Sequence, residues 1–221
     1  MEMDSLHALY VEELKDLYSA ETQIQKGLPR MIKAAKHPEL KELLSTHLEQ
    51  TERQAERLAR ICEGLGEKPT GKKCVGMQGL LEEAKELIQE KPEPEVLDAG
   101  LIAAQQHVEH YEIAGYGCVR TYARLLGREE DGRLLQQTLD EERATDELLT
   151  ALAERTINVA AANAGGDAPD GGEPAARPAA KRGAKKAAGK GAGRSAGKVA
   201  ARGATKGAGR SATKRAATTR R

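Results

Sequence analysis

The sequence predicts an all-α protein, a bundle of four long helices with a long crossover that carries a short fifth helix. The chain has no Phe or Trp and five Tyr, so Leu, Ala, Ile and Val supply the apolar mass, and this composition favours helices over sheets. Four long segments repeat apolar residues at helical spacing. Between the second and third segments, residues 64–94 exceed what an antiparallel corner needs and are enough to cross the length of a bundle.

Charge divides the chain near Ala160. Residues 161–221 contain 15 Lys and Arg against three acidic residues, a net charge of +12, whereas residues 1–160 contain 20 basic and 31 acidic residues, a net charge of −11. The first 160 residues are enough for one sizeable core. We therefore predict a helical domain at 1–160 and a tail at 161–221, called the basic tail below. The opposite charges suggest a polyanionic partner for this tail.

The first two helices are predicted to form an antiparallel pair with polar residues in the middle of each inward face. Asp4 and Ser5 offer an N-cap for the first helix, which runs to about Lys36, and Glu21 interrupts the middle of its apolar stripe. The second helix runs from Pro38 to about Glu63. Its inward face is interrupted by Gln50, Thr51 and Gln54, with His47 at the edge of that face.

The last two long helices repeat this arrangement. A crossover helix is predicted at about 77–89, a third long helix at about 95–127, and a fourth that ends near Asn158. In the third, Glu109 and Glu112 lie within about 60° of each other on the inward stripe. In the fourth, Glu142 and Asp146 are four residues apart on the inward face. When each pair of helices is folded antiparallel at its corner, the polar residues in the middle of all four helices lie at the same level along the bundle axis.

The predicted layer brings five carboxylates into the core: Glu21, Glu109, Glu112, Glu142 and Asp146. Burying even one unpaired carboxylate costs several kcal/mol, and like charges ~4 Å apart repel each other by several kcal/mol near a protein surface. The layer must therefore hold protons or cations. A bridged pair of iron or manganese ions would neutralise several carboxylates at once, so these five residues are the predicted metal ligands.

Five segments resemble the YciF-type ferritin-like stress proteins, and they occur in the same order. They are Tyr18–Glu21, His47–Thr51, Lys73–Met77, Glu109–Ala114 and Glu141–Asp146. The resemblance covers about residues 4–158. It implies a ferritin-like four-helix bundle with one crossover, a homodimer, and a relation to rubrerythrin-like di-iron proteins. The activity of that family is poorly defined, so the resemblance implies the fold more sharply than the function.

The predicted site departs from the usual ferritin-like pattern in its histidines. Ferritin-like di-iron sites usually place Glu-x-x-His on two helices, which gives each metal a histidine. Here Thr145 of the fourth helix stands where the histidine would be, and we expect no inward histidine from the second helix. The side chains predicted to surround the ligands are His47, Gln50, Gln54, His110 and Tyr116. For the two glutamines, hydrogen bonding is favoured over metal ligation.

A structural explanation of the layer stays open. Its carboxylates would then be protonated in part or satisfied by Tyr and Gln donors, Arg57 would pair with an acid, and the bundle would be a scaffold without catalysis. The sequence has no nucleophile with an adjacent base, no phosphate-binding loop and no dinucleotide fingerprint, which excludes hydrolytic and nucleotide-driven enzymes. Cys62, Cys74 and Cys118 lack metal-type spacing. With no recognisable signal peptide or membrane span, we expect reduced, packed thiols in a cytoplasmic protein.

The basic tail is low in complexity and regular in charge. Its repeating cations, called the periodic cations below, are Lys190, Arg194, Lys198, Arg202, Lys206, Arg210 and Lys214. Without aromatic or large aliphatic side chains to bury, the tail is expected to be disordered alone. Its composition resembles the tails of linker-histone-like bacterial proteins. Such a tail would bind DNA or RNA by neutralising phosphates, without sequence preference; solubility, or binding to the acidic body, are the alternatives.

These observations predict a nucleoid-associated stress protein, tethered to DNA by the basic tail, whose di-metal site oxidises Fe(II) or consumes peroxide. The alternative is a nucleoid-associated scaffold whose buried acidic layer binds no metal.

Overall fold

The computed structural model describes residues 3–164, which form helices joined by short connections. The helices are α1 (Leu6–Ala34), α2 (Pro38–Gly64), α3 (Val75–Glu90), α4 (Pro94–Leu125), α5 (Glu129–Leu152) and α6 (Asn158–Ala164). The predicted all-α bundle is confirmed. Residues 165–221, which include all the periodic cations, lie outside the described residues, so what the sequence predicts of them stays a prediction.

The four long helices α1, α2, α4 and α5 form the bundle. α1 packs against α2 and α4, and α5 packs against α4 and α2, so each long helix contacts two others. α3 lies in the crossover and packs against α1 and α4. The short corners make α1 and α2, and likewise α4 and α5, antiparallel neighbours, whereas the long 65–93 connection lets the chain cross the bundle.

Glycines define the ends of α2 and α4. Gly66 has a φ of 73° and Gly127 a φ of 71°, in the left-handed region that glycine adopts without steric penalty. The amide of the residue after each glycine donates a hydrogen bond to a carbonyl in the last helical turn, at 2.9 Å after α2 and 2.8 Å after α4. This is the Schellman arrangement, which satisfies carbonyls at helix ends. Both corners therefore follow directly from the sequence.

The last helix runs further than the sequence predicted. α5 continues through a π-helical turn, Ala153–Ile157, into α6, so the helical path ends at Ala164 instead of near Asn158. Four of the five residues from 160 to 164 are alanine, the residue with the highest helix propensity. The prediction relied on the apolar stripe, which ends at Ile157, and gave too little weight to this run of alanines.

The core consists of two apolar clusters along the bundle. The first joins α3 to the four long helices and includes Leu28, Leu40 and Leu101. The second includes Leu14 and Leu58 and lies at the end of the bundle where α1 begins. Each fully buried leucine stabilises the fold by about 1.5–3 kcal/mol. The polar residues of the bundle interior lie between these clusters.

Two further predictions concern surface and packing. Within residues 3–164, no helix has both the length and the apolarity needed to cross a membrane. Cys62 and Cys74 are buried free thiols, but Cys118 is exposed. The packing role expected of all three cysteines is therefore wrong for Cys118, which lies about 200° around α4 from the buried Tyr116.

Asp98 ties the first turn of α4 to the corner between α1 and α2. Its side chain is buried, and its two carboxylate oxygens accept hydrogen bonds from the backbone amides of Lys36 and His37, each at 2.7 Å. Hydrogen bonds to a charged acceptor are the stronger kind. Asp98 therefore fixes the register between the two helix pairs.

We expect the substitution Asp98→Ala to lower the free energy of unfolding by about 2–4 kcal/mol, because two amides lose a charged acceptor. Asp98→Asn keeps one acceptor oxygen and should lose about half as much. Urea denaturation of the full-length variants measures both values. Equal losses in the two variants would contradict the role of the hydrogen bonds.

Candidate metal centre

Helices α2, α4 and α5 direct three carboxylates and one imidazole into the space between the apolar clusters. Glu109 and Glu112 share one face of α4 because they are three residues apart, Glu142 comes from α5, and His47 comes from α2. One ligand atom of each of these side chains lies within 4.8 Å of the others, and all four residues are at most 1% exposed. These four residues are called the ligand cluster below.

Glu21 of α1 borders the ligand cluster. It is fully buried, and its Oε1 accepts a hydrogen bond from the hydroxyl of Tyr116. Burial raises the pKa of Glu21 well above its ordinary range, and repulsion by Glu142 raises it further. Glu21 Oε2 has no hydrogen-bond partner among residues 3–164, so Glu21 is a candidate for a fifth ligand from the α1 side.

A chain of hydrogen bonds supports Glu142 from α2. Gln54 donates through Nε2 to Glu142 and, at 3.2 Å, to Glu141. Arg57 forms a two-pronged ion pair with Glu141, at 2.5 and 2.8 Å. Burial raises the pKa of Glu141, but its hydrogen bonds and ion pair with Arg57 outweigh burial and lower the value overall. Glu141 therefore stays charged and fixes Gln54, which in turn orients Glu142.

Many atoms of the site have no hydrogen-bond partner among residues 3–164. They are Glu21 Oε2, both ring nitrogens of His47, Gln54 Oε1, Glu109 Oε2, both oxygens of Glu112, and Glu142 Oε2. His47 Nε2 lies 3.3 Å from Glu109 Oε1, without the geometry of a hydrogen bond. Buried polar atoms without partners destabilise a fold. A coordinated ion would satisfy them, and carboxylate oxygens with one imidazole nitrogen suit iron, manganese or zinc.

The protonation of the cluster also fits a cation. The pKa values of Glu109 and Glu112 lie well above the ordinary range, first because burial penalises the charged form and then because neighbouring carboxylates repel each other. Burial lowers the pKa of His47, although Glu142 opposes this. The imidazole is therefore neutral at pH 7 and has a lone pair to donate. The raised pKa values favour protonated carboxyls at Glu109 and Glu112 in the metal-free protein, and a bound cation would displace those protons.

The expectation that α2 has no inward histidine is wrong, because His47 is 1% exposed. The buried positions of α2 include 40, 44, 47, 51, 54 and 58, and this alternation of four and three residues marks a single helical face. Position 47 lies in the middle of that face. His47 was predicted at the edge of this face, although it lies seven residues from both Leu40 and Gln54 and therefore within about 20° of each.

The remaining predicted residues lie around the ligand cluster or apart from it. Asp146 is not in the ligand cluster: it is half-buried, lies 3.4 Å from His110, and accepts a hydrogen bond from Gln106 at 3.0 Å. Thr145 takes the inward position one turn after Glu142 and donates to Gln50 at 3.4 Å. Of the five predicted ligands, the structure brings three into the cluster, places Glu21 beside it and leaves Asp146 near the surface.

The fold and the site define a class of protein, the ferritin-like helical bundles with a carboxylate-rich centre. The chain belongs to the family described as a domain of unknown function, DUF892, which matches residues 5–162. It is 43% identical over 164 residues to protein YciF of Escherichia coli K12, which covers 74% of this chain and 99% of that protein.

Solved structures agree with this assignment. The structure of the E. coli stress protein YciF has a TM-score of 0.68 and 43% identity, and covers 71% of this chain and 99% of that one. The structure of YcfI from Rhodopseudomonas palustris has a TM-score of 0.65 and 41% identity, and covers 68% and 97% of the two chains. The chain is therefore a homologue of a stress protein. The family match ends at residue 162, before most of the basic tail.

The raised pKa values predict how the stability of the metal-free protein depends on pH. Glu21, Glu109 and Glu112 keep protons in the folded state that the unfolded chain releases above its ordinary pKa. The free energy of unfolding should therefore fall as pH rises from about 5 through the raised values. His47 acts in the opposite sense, but only below its ordinary pKa of 6.5. Between about pH 7 and 8, below the range in which the buried thiols of Cys62 and Cys74 titrate, the carboxyls set the slope.

The measurement is chemical denaturation of chelator-treated protein between about pH 5 and 9. Glu112→Gln should flatten the pH dependence and raise stability at alkaline pH, because the amide is neutral throughout. Glu147→Gln, an exposed site on α5, is the matched control and should follow the wild type. Identical slopes in the wild type and Glu112→Gln would contradict the raised pKa values.

Proposed function

We propose that the bundle is a cytoplasmic, homodimeric metalloprotein of the stress response that binds a pair of iron or manganese ions and consumes peroxide or oxidises Fe(II). The observation that carries this proposal is the ligand cluster itself. Three carboxylates and a neutral imidazole converge within 4.8 Å in a site closed to solvent. Glu21 adds a fourth carboxylate with a free oxygen, which provides enough oxygen ligands for two ions.

The side chains of the bundle would hold and shield the bound ions. His47 would donate its lone pair to one ion, and Glu21 would bind on the opposite, histidine-free side. Gln54 orients Glu142, and Tyr116 orients Glu21, so the carboxylates need little rearrangement to bind. A bridged pair of iron ions supplies two-electron redox chemistry at such a site. The apolar clusters on both sides exclude bulk water from it.

When Fe(II) is the substrate, two Fe(II) ions supply the two electrons that the reduction of one peroxide molecule requires. One peroxide molecule would take one electron from each of two Fe(II) ions, together with two protons, and would leave as two water molecules. The homology to a stress protein supports a reaction of this kind, because it would remove both reactants that together generate damaging oxidants.

The proposal predicts that the full-length protein retains iron or manganese in stoichiometric amounts after loading without oxygen and desalting. The double variant Glu109→Gln, Glu142→Gln should bind at least about tenfold more weakly, because each substitution replaces an anionic ligand with an amide. It should also oxidise Fe(II) more slowly on addition of peroxide. Elemental analysis and the absorbance of Fe(III) measure the two effects, with Glu147→Gln as the exposed control.

An equal rate of Fe(II) oxidation in the wild type and the double variant would contradict the catalytic proposal. A wild-type protein that retains no iron, manganese or zinc would favour the second candidate function, a scaffold without catalysis. The hydrogen bonds from Gln54 to Glu142, Gln105 to Glu109 and Tyr116 to Glu21 are the specific observation that supports the scaffold. They satisfy part of the layer without an ion.

We also propose that the basic tail tethers the bundle to nucleic acid, with DNA as the expected partner, and places it at the nucleoid. The net charge of +12 in residues 161–221 and the even spacing of the periodic cations support this. The bundle itself is acidic and would be repelled by phosphates. The tail would therefore supply the affinity, while the bundle would supply the chemistry.

Binding of the full-length protein to duplex DNA should weaken steeply with salt. If all seven periodic cations contact phosphates, the logarithm of the affinity should fall against the logarithm of salt concentration with a slope of about −6. Replacing these seven residues with Gln should remove most of the affinity and of the slope, without changing metal content. Fluorescence anisotropy with DNAs of two unrelated sequences is the measurement. Unchanged affinity in the Gln variant would contradict tethering by the tail.

A further inference from the structure

A second pair of possible metal ligands lies at the surface where α4 packs against α5. His110 Nε2 is 3.4 Å from Asp146 Oδ1, and the two side chains are 68% and 22% exposed. Gln106 donates hydrogen bonds to both Asp146, at 3.0 Å, and Thr150, at 2.7 Å. Asp146 is therefore held in place by Gln106, while His110 faces solvent.

This surface pair is next to the ligand cluster in both helices. His110 directly follows Glu109 of the cluster. Asp146 lies four residues after Glu142, which is one helical turn, or about 6 Å along the axis of α5. The pair and the cluster thus occupy the same seam of the bundle, one at the surface and the other in the interior.

The ligand cluster needs such a neighbour because it is closed. Its four residues are at most 1% exposed, so an ion from solvent must pass between helices to reach them. The α2–α5 seam is bridged by Arg57, whose guanidinium forms an ion pair with Glu141 and donates a hydrogen bond to Thr138, and these contacts close it. The α1–α4 seam has a surface groove lined by Glu13 and Asp16, without an imidazole. Its lining also includes Gly115 and Leu17, which pack so closely that a Cβ at Gly115 would lie 2.7 Å from Leu17 Cδ2.

The α1–α2 seam is the alternative path. A surface groove there is lined by Glu52 and Glu56, together with Gln25. It offers carboxylates but no imidazole. Beneath it, the side chain of Gln25 donates a hydrogen bond through Nε2 to the backbone carbonyl of Thr51, at 3.4 Å across the seam. Thr51 is fully buried.

We propose that His110 and Asp146 form a capture site for divalent transition-metal ions, from which an ion passes along the α4–α5 seam to the ligand cluster. This inference rests on the proposed function of the cluster as a metal site. An imidazole nitrogen and a carboxylate oxygen, each about 2.1 Å from a tetrahedral ion, lie about 3.4 Å apart, which matches the observed separation. The mixed nitrogen and oxygen donors favour Fe²⁺, Mn²⁺, Co²⁺ or Zn²⁺ over Mg²⁺ and Ca²⁺.

Two protein ligands suit capture better than storage. The remaining coordination positions of the ion would be filled by water, so the surface pair holds an ion less tightly than the four anionic or imidazole ligands of the cluster. The affinity for the ion therefore increases from the surface pair to the ligand cluster. Glu109 and Glu142 each have an unpartnered oxygen to receive the ion.

The test is the rate at which the metal-free, full-length protein takes up Co²⁺, followed by stopped-flow measurement of the Co²⁺ absorbance bands. The test variant is His110→Ala, Asp146→Asn. The matched control is His107→Ala, Glu147→Gln, which removes the same kinds of group from exposed positions of the same two helices. A third variant, Glu52→Gln, Glu56→Gln, probes the α1–α2 groove. The final number of bound ions is measured at equilibrium for every protein.

The proposal expects uptake by the test variant to be slower by about tenfold, which is the low end of the effect of local charge on association rates. The final number of ions should be unchanged, and the matched control should behave as the wild type. Unchanged uptake in the test variant would overturn the proposal, as would slower uptake in the Glu52→Gln, Glu56→Gln variant alone.

Two other results would also overturn it and can be told apart. A test variant with fewer ions at equilibrium would mean that His110 and Asp146 are permanent ligands, not a capture site. A wild-type protein that binds no Co²⁺ would reject the cluster as a metal site, and the capture site with it. The thermal unfolding temperature of each variant in the metal-free state shows whether the substitutions alter the fold itself.

Discussion

The repulsion between buried carboxylates is the constraint on which the rest of this structure depends. Three glutamates of α1 and α4 have pKa values well above the ordinary range because burial and their neighbours oppose ionisation. The apolar clusters on both sides cannot relieve that repulsion, and no Lys or Arg of residues 3–164 is buried. Either protons or metal ions must neutralise the layer. The neutral imidazole of His47 favours metal ions, because its unprotonated nitrogen can bind a metal but cannot donate a hydrogen bond to a carboxylate.

The residues around the cluster show how a bundle can hold such a layer in place. Arg57 neutralises Glu141, Glu141 fixes Gln54, and Gln54 contacts Glu142. A positive charge thereby supports the site without lying in it. On the other side, Tyr116 holds Glu21 through a single hydrogen bond and leaves its second oxygen free. The two sides of the site therefore differ: on one side an amide orients Glu142, and on the other a phenol orients Glu21.

Much of the fold could be predicted from the sequence because local signals and apolar spacing agree. Ser5 caps α1, glycines end α2 and α4, and the length of the crossover determines the topology. Glu21, Glu109, Glu112 and Glu142 stand out because each interrupts an apolar stripe. His47 was predicted at the edge of its face, although its spacing of seven residues from Leu40 and from Gln54 places it at the centre of that face. Asp146 could not be placed, because a carboxylate on the border of a helix face turns inward or outward according to packing, which spacing alone does not specify.

The division of the core into two apolar clusters has a consequence for how the bundle opens. Helical bundles usually loosen first at their ends, where amides exchange with solvent most readily. Here the apolar packing is interrupted at mid-height, where all four long helices bring buried polar groups together between the two apolar clusters. Local opening would then begin in the middle of the bundle. An ion bound there would cross-link the helices at the point where they separate most easily.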